Sequence, residues 1–130
     1  MNMLTDEWVR KAEGDYATAG RELRVRNSPN YDAVCFHAQQ TAEKYLKAFL
    51  QEHKVLFPKT HSLIELLELC LSEDPGFASE RNRLITLDRY AVRYRYPGET
   101  ADKDEARLAF QTVRTFRAFA REKLGIFEGE

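Results

Sequence analysis

Cysteine, glycine and proline are scarce in this chain, and each scarcity removes a class of protein. Two cysteines in 130 residues, Cys35 and Cys70, are too few for a disulfide-stapled scaffold. Both lie in apolar stretches, so buried free thiols are expected, with a disulfide or a reactive thiol as the alternative. The six glycines are dispersed and build no phosphate-cradling loop. No apolar run approaches the roughly 20 residues that a bilayer-spanning helix needs. The opening MNMLTDEWVRKAEGD lacks the apolar stretch of a secretory signal, so the cytoplasm is the expected location and no membrane partner is expected. A surplus of one charge is missing too. Lys and Arg total 20 against 21 Asp and Glu, a net charge of −1. A case for nucleic acid must therefore come from a local patch. Segments of strand-like alternation are also lacking.

What is present reads as one helical domain over residues 1–130. Apolar residues make up 43% and charged residues 32%, and a chain of this length can bury one adequate core. Pro and Gly separate five segments of helical periodicity. The first runs from about Thr5 to Arg26, with Thr5 as cap and Trp8, Ala12, Ala19 and Leu23 as its apolar stripe. The second opens at Pro29 or Asn30 and is stopped by Pro58. Its apolar arc carries Val34, Ala38, Ala42, Tyr45, Leu46 and Phe49. The third begins at Ser62, with Glu65 completing a possible capping box, and runs to about Leu71. SEDPGF is a turn, and a fourth helix covers about Ser79 to Ala91. RYRYPGETADKD is a loop, and the last helix covers about Ala101 to Leu124. Short connections predict an all-α, antiparallel up-and-down bundle of about five helices.

Several polar residues fall at interior positions. Asp15 lies within the stripe of the first helix, Gln39 within the arc of the second, and Arg117 between Phe110, Val113 and Leu124 on the last. A buried charge needs a partner. The expectation is therefore a structural polar network in which Asp15, Gln39 and Arg117 meet each other or the RYRY loop. A bond from Arg95 to Asp15 would tie that loop to the first helix. The alternative is a ligand pocket at the end of the bundle. Gln40, Glu43 and Lys47 project on the far side of the second helix, with His37 and Lys44 flanking, and are expected to face a groove or a partner subunit.

Catalytic constellations are weak. His37, His53 and His61 share no metal-binding spacing, so neither a metal nor a cofactor is expected. Cys35 and His37, two apart on a helix, do not face each other, and no catalytic residue is assigned. The basic residues are better candidates. Arg89, Arg93 and Arg95 alternate with Tyr90, Tyr94 and Tyr96. Arg can grip phosphate with its planar fork and Tyr can stack on a base, so a nucleotide or RNA pocket competes here with a tyrosine-rich helix end that covers the core. Arg107, Arg114 and Arg121 recur every seven residues in a line, which reads as a solvated face.

FHAQQTAEKYLKAFL, followed by KTHSL and RYRYPG, resembles a HEPN domain (higher eukaryotes and prokaryotes nucleotide-binding). The resemblance spans nearly the whole chain, including the A-x-x-D-Y helix with Asp15, Thr60–His61 and Arg95-Tyr96-Pro97. It implies a helical bundle that commonly dimerises. It also implies pairing with a minimal nucleotidyltransferase, often as a toxin–antitoxin system. Many relatives are metal-independent ribonucleases marked by Arg, four to six residues, then His. No Arg stands at that offset from any His of this chain, so the branch it resembles is the nucleotide-binding, nucleotidyltransferase-associated one. The ligand-binding residues are then expected among Gln40, Lys44, Lys47, Arg93, Arg95 and Tyr96. The rivals are a ribonuclease with an atypical Lys47–His53 site and a purely structural dimerisation module.

Overall fold

The computed structural model describes residues 1–127. Five α-helices carry the fold: α1 (Met3–Leu23), α2 (Tyr31–Glu52), α3 (Leu63–Glu73), α4 (Arg81–Asp88) and α5 (Lys103–Lys123). Short 3-10 turns at Pro75–Glu80 and Arg89–Ala91 flank α4, and there is no strand among the described residues. None of the helices is long and apolar enough to cross a membrane.

Contacts at the helix ends set the directions. Asn2, before α1, meets Gln51 and Glu52 at the end of α2. Glu22 near the end of α1 accepts the amide of Asn30 before α2. α1 and α2 are therefore antiparallel. Asp32 at the start of α2 accepts the Ala101 amide just before α5, and Arg121 at the far end of α5 reaches Tyr45. α5 thus runs beside α2 in the same direction, opposite to α1. The start of α3 lies near Gln39, while Cys70 lies against the Leu46 carbonyl, so α3 also follows α2. Residues 53–62 make the return of roughly 20 Å that this requires, the rise of about 13 helical residues. This is the one departure from simple up-and-down alternation. Arg81 pairs with Glu68, and the Leu63 amide bonds to Asp88, which sets α4 antiparallel to α3.

Local chemistry explains the helix limits. Asn2, Asn30, Ser62 and Asp102 each accept an amide of the first turn with their side chains, the usual solution for orphan donors. Thr5, the expected cap, is instead buried inside α1, because Asn2 takes its amide. Ser62 caps α3 as expected, but the Glu65 carboxylate accepts from Thr60 rather than closing a capping box. α2 stops well before Pro58. Lys54 adopts φ 58°, and the amides of Lys54 and Val55 return to Gln51 and Leu50. That is a Schellman ending with lysine where glycine is favoured. Gly125, at φ 74°, ends α5 in the same way.

The core is centred on α2, whose residues from Ala38 to Leu50 are buried except Gln40 and Lys44. Both cysteines are free and buried. Burial, with the nearby Glu105 and Asp32 charges, pushes the Cys35 thiol up to about 12, and burial alone does the same for Cys70.

Candidate functional site

The start of α2 and the segment that follows α4 enclose an open groove of about 430 Å³. Its walls include Asn30 just before α2, Asp32 and Phe36 from α2, and Tyr90, Tyr94 and Arg95 from the other side. Asn30 caps α2, and Asp32 is held by the Ala101 amide at 2.7 Å. Tyr90 is buried and donates to Glu105. Burial and that carboxylate raise its pKa, so the phenol stays protonated. Tyr94 stacks on Tyr90 with ring centres 6.0 Å apart. The guanidinium of Arg95 is exposed and forms no ion pair among the described residues, whereas Arg93 lies over Tyr94 and faces Glu99 and Glu105. The groove thus offers a cation, three aromatic side chains and the positive end of a 22-residue helix, with the Asp32 carboxylate beside them.

Of the six residues expected to bind a ligand, only Arg95 lines this groove. Tyr96 is 70% exposed on the loop beyond it. Gln40 donates to Gln39 and Glu43, and Lys44 pairs with Asp15. Lys47 is buried between Glu43, at 3.0 Å, and the ring of Trp8. Glu43 and Lys47, expected on the outward face, are therefore turned inward, and Gln40 is half-buried beside them. A helical wheel assumes a helix buried on one side, but α1, α3 and α5 all pack on α2. Lys47 and His53 have separate partners, since His53 packs on Phe49 and lies 3.9 Å from Glu73. Among the described residues, no three His, Cys, Asp or Glu side chains stand close enough to hold a metal ion.

The expected network of Asp15, Gln39 and Arg117 divides into three separate sites. Asp15 is shared by His37 Nδ1, at 2.7 Å, and Lys44. Gln39 donates to the His61 carbonyl at 2.9 Å and accepts from Gln40. Arg117 grips Glu13 through Nε and Nη2, at 2.7 and 2.6 Å. Arg95 is not bonded to Asp15 and instead lines the groove. α1 separates these partners, because Asp15 faces His37 and Lys44 of α2 while Glu13 faces α5 and, farther along α2, Tyr45.

Glu13 was not singled out by the sequence, since it lies off the apolar stripe of α1. It also accepts from Tyr45 and lies 3.7 Å from Arg121. Burial alone would raise the Glu13 pKa, but the bonds from Arg117 and Tyr45 outweigh it and hold the carboxyl below its ordinary value. The same bond to Glu13 raises the pKa of Arg117, while burial raises that of Tyr45. The interior arginine was the available signal, because it demanded a carboxylate from a neighbouring helix.

A model of the HEPN domain matches residues 5–123. The chain is similar to TT1696 from Thermus thermophilus, at 25% identity and a TM-score of 0.74, over 92% of this chain and 97% of that one. It also shares the fold of ST0689, an archaeal HEPN homologue, at 23% identity and a TM-score of 0.71, over 92% of this chain and 96% of that one. Among curated proteins, none matches. The family match reaches all five helices, and the chain belongs to the HEPN domain family.

Proposed function

We propose that this HEPN protein binds a nucleotide in the groove at the start of α2 and acts as the non-catalytic half of a pair with a minimal nucleotidyltransferase, in a toxin–antitoxin arrangement in the cytoplasm. The observation that carries the reading is Arg95, a guanidinium without an ion pair among the described residues, in a groove that also holds Phe36, Tyr94 and the N-terminal end of α2. A phosphate suits Arg95 and the helix end, and a base suits the aromatic wall. Titration calorimetry with ATP and with GTP tests it. Arg95→Ala should weaken binding about 10- to 100-fold, because a hydrogen bond to a charged group contributes about 1.5–3 kcal/mol. Equal affinity of parent and variant, or no binding to the parent, overturns the assignment. Co-expression with a nucleotidyltransferase encoded beside this chain tests the pairing, which fails if the two do not co-purify.

A homodimer is part of the proposal. Leu4 and Leu56 are 56% and 95% exposed; Leu4 shares a hollow with Trp8, Leu56 shares another with Phe57, and the Trp8 and Phe57 rings meet edge-on at 6.2 Å. Apolar surface at the start of α1 and after α2 is what a second copy would cover. Light scattering at high micromolar concentration should give twice the 15.2 kDa chain mass, and a particle of one chain mass ends this part of the reading.

A further inference from the structure

The line of arginines on α5 is not alone on its face of the bundle. Because α1 runs antiparallel to α5, the C-terminal half of α1 lies beside the N-terminal half of α5. Two depressions, of about 480 and 520 Å³, run between them and share Arg24. Arg21, Arg24 and Arg26 border them from α1 and the link after it, and Arg107 and Arg114 from α5. All five side chains are exposed, and none forms an ion pair among the described residues. The carboxylate in the groove, Glu13, is already taken by Arg117 and Tyr45. The segment from Leu63 to Glu80, by contrast, has five Asp or Glu and no Lys or Arg. A chain with a net charge of −1 thus concentrates unneutralised positive charge in one groove.

Beyond charge, the larger depression offers one half-buried aromatic side chain, Tyr31, which can stack on a base without reading it. The aromatic pair of the other depression is closed: Tyr16 has Phe110 stacked at 5.1 Å and the Arg117 guanidinium 4.4 Å from its ring centre. A base finds no open face on Tyr16. Nor is there a desolvated apolar pocket of the kind that anchors a protein partner. Gly20 keeps the floor tight, since a Cβ there would stand 3.3 Å from Arg24 Nη1 and 3.4 Å from the Phe110 ring. Exposed guanidinium groups without anchors recognise a run of phosphates by charge and by planar, two-pronged hydrogen bonding. The length also suits a linear ligand, since Lys103 to Arg117 spans roughly 21 Å of helix.

The geometry points to a second ligand site on this chain: the α1–α5 groove binds a linear chain of phosphates, such as the backbone of a single-stranded nucleic acid or inorganic polyphosphate, without reading bases. This goes beyond the nucleotide groove and does not depend on it, as the two sites share no side chain.

The test uses a fluorescein-labelled uridine 12-mer, its deoxy counterpart and inorganic polyphosphate as competitor, with binding read by anisotropy. Five phosphate contacts to a single strand predict a log–log salt slope of about −3.5, hence a loss of about 100-fold in affinity between 50 and 200 mM salt. The triple variant Arg24→Glu, Arg107→Glu, Arg114→Glu should lose binding at least about tenfold at 50 mM salt and show a slope near about −1.4. The triple Gln variant serves if charge reversal disturbs folding, and the triple Lys variant should retain most of the affinity. Preference among RNA, DNA and polyphosphate identifies the source of the phosphates. The proposal is overturned if none binds, if the Gln variant binds as the parent does, or if polyglutamate of equal length displaces the probe as well as polyphosphate does. Calorimetry with ATP on the same variants separates the sites: Arg95→Ala should spare 12-mer binding, and the triple variants should spare ATP.

Discussion

Glu13 and Asp15 are carboxylates two residues apart on one helix, and they fasten it through different sets of partners. Residues at that spacing point to different sides. Glu13 therefore meets α5 through Arg117 and Arg121 and reaches α2 only through the Tyr45 hydroxyl, while Asp15 meets α2 alone, through His37 and Lys44. The Glu13 partners include a planar fork that fits the carboxylate in two places, and the hydroxyl among them is fully buried. The Asp15 partners, His37 and Lys44, are 29% and 21% exposed against 20% and 12% for Arg117 and Arg121, and neither offers a planar fork, although Asp15 itself is the more buried carboxylate. The same acidic chemistry thus makes a stiff clamp on one side of α1 and a looser one on the other.

Five measurements would break or sharpen that contrast. The largest effect is expected at Glu13. Glu13→Ala leaves Arg117, Arg121 and Tyr45 without their shared acceptor. The site lies between the exposed limit of about 0–1 kcal/mol and the buried limit of about 3–5 kcal/mol. Urea denaturation should show a loss of about 2–3 kcal/mol, and an effect below that of Asp15→Ala would reverse the ranking. The loss at Asp15→Ala should be about 1–2 kcal/mol, because His37 and Lys44 can turn to water. The two losses should add within about 0.5 kcal/mol, since no partner is shared.

Acidification sharpens the same point. The folded pKa of Glu13 lies below its unfolded value, near 4.5. Its contribution is therefore complete above about pH 4.5 and is lost as pH falls through the lower folded value. Stability measured from about pH 6 to about pH 3 should fall less steeply at the acidic end for Glu13→Gln than for the parent. Parallel curves would remove the clamp from the explanation. The smallest effect belongs to the open arginines. Arg114→Ala should change stability by no more than about 0.5 kcal/mol, as for other surface substitutions away from such networks. A loss comparable to that at Glu13 would mean that the α5 face is structural after all.

The contrast also shows how far the sequence could be read. Helical periodicity and caps such as Ser62 and Asn30 made the five helices legible, because those signals are local. Interior positions such as Gln39 and Arg117 were legible as polar residues in need of partners, but the partners were not. Choosing between Glu13 and Asp15 for Arg117 depends on how α1 is rotated against α5, which is a tertiary fact. The burial of Glu43 and Lys47 was hidden for a related reason, since α2 is enclosed by three helices and a wheel drawn for one buried face cannot show that. The end of α2 was misplaced because its stop signal, Lys54 in a left-handed conformation, is a lysine doing what glycine usually does. In the candidate groove, Arg95 was legible from the Arg–Tyr alternation, but Phe36 and Asn30 join it only because the start of α2 comes back beside Tyr94.

The two sealed thiols turn this fold into its own motion recorder. Cys35 sits near the start of α2, beside Glu105 and Asp32, and Cys70 sits where α3 lies against the middle of α2. With each thiol pushed up to about 12 and neither side chain reachable by solvent, an alkylating reagent should label them only when the surrounding helices part. Time-resolved mass spectrometry of the labelled peptides would then report two clocks in one molecule. Equal rates would mean that the bundle opens as a single unit. A faster Cys70 would mean that α3 lifts away while α1, α2 and α5 stay closed.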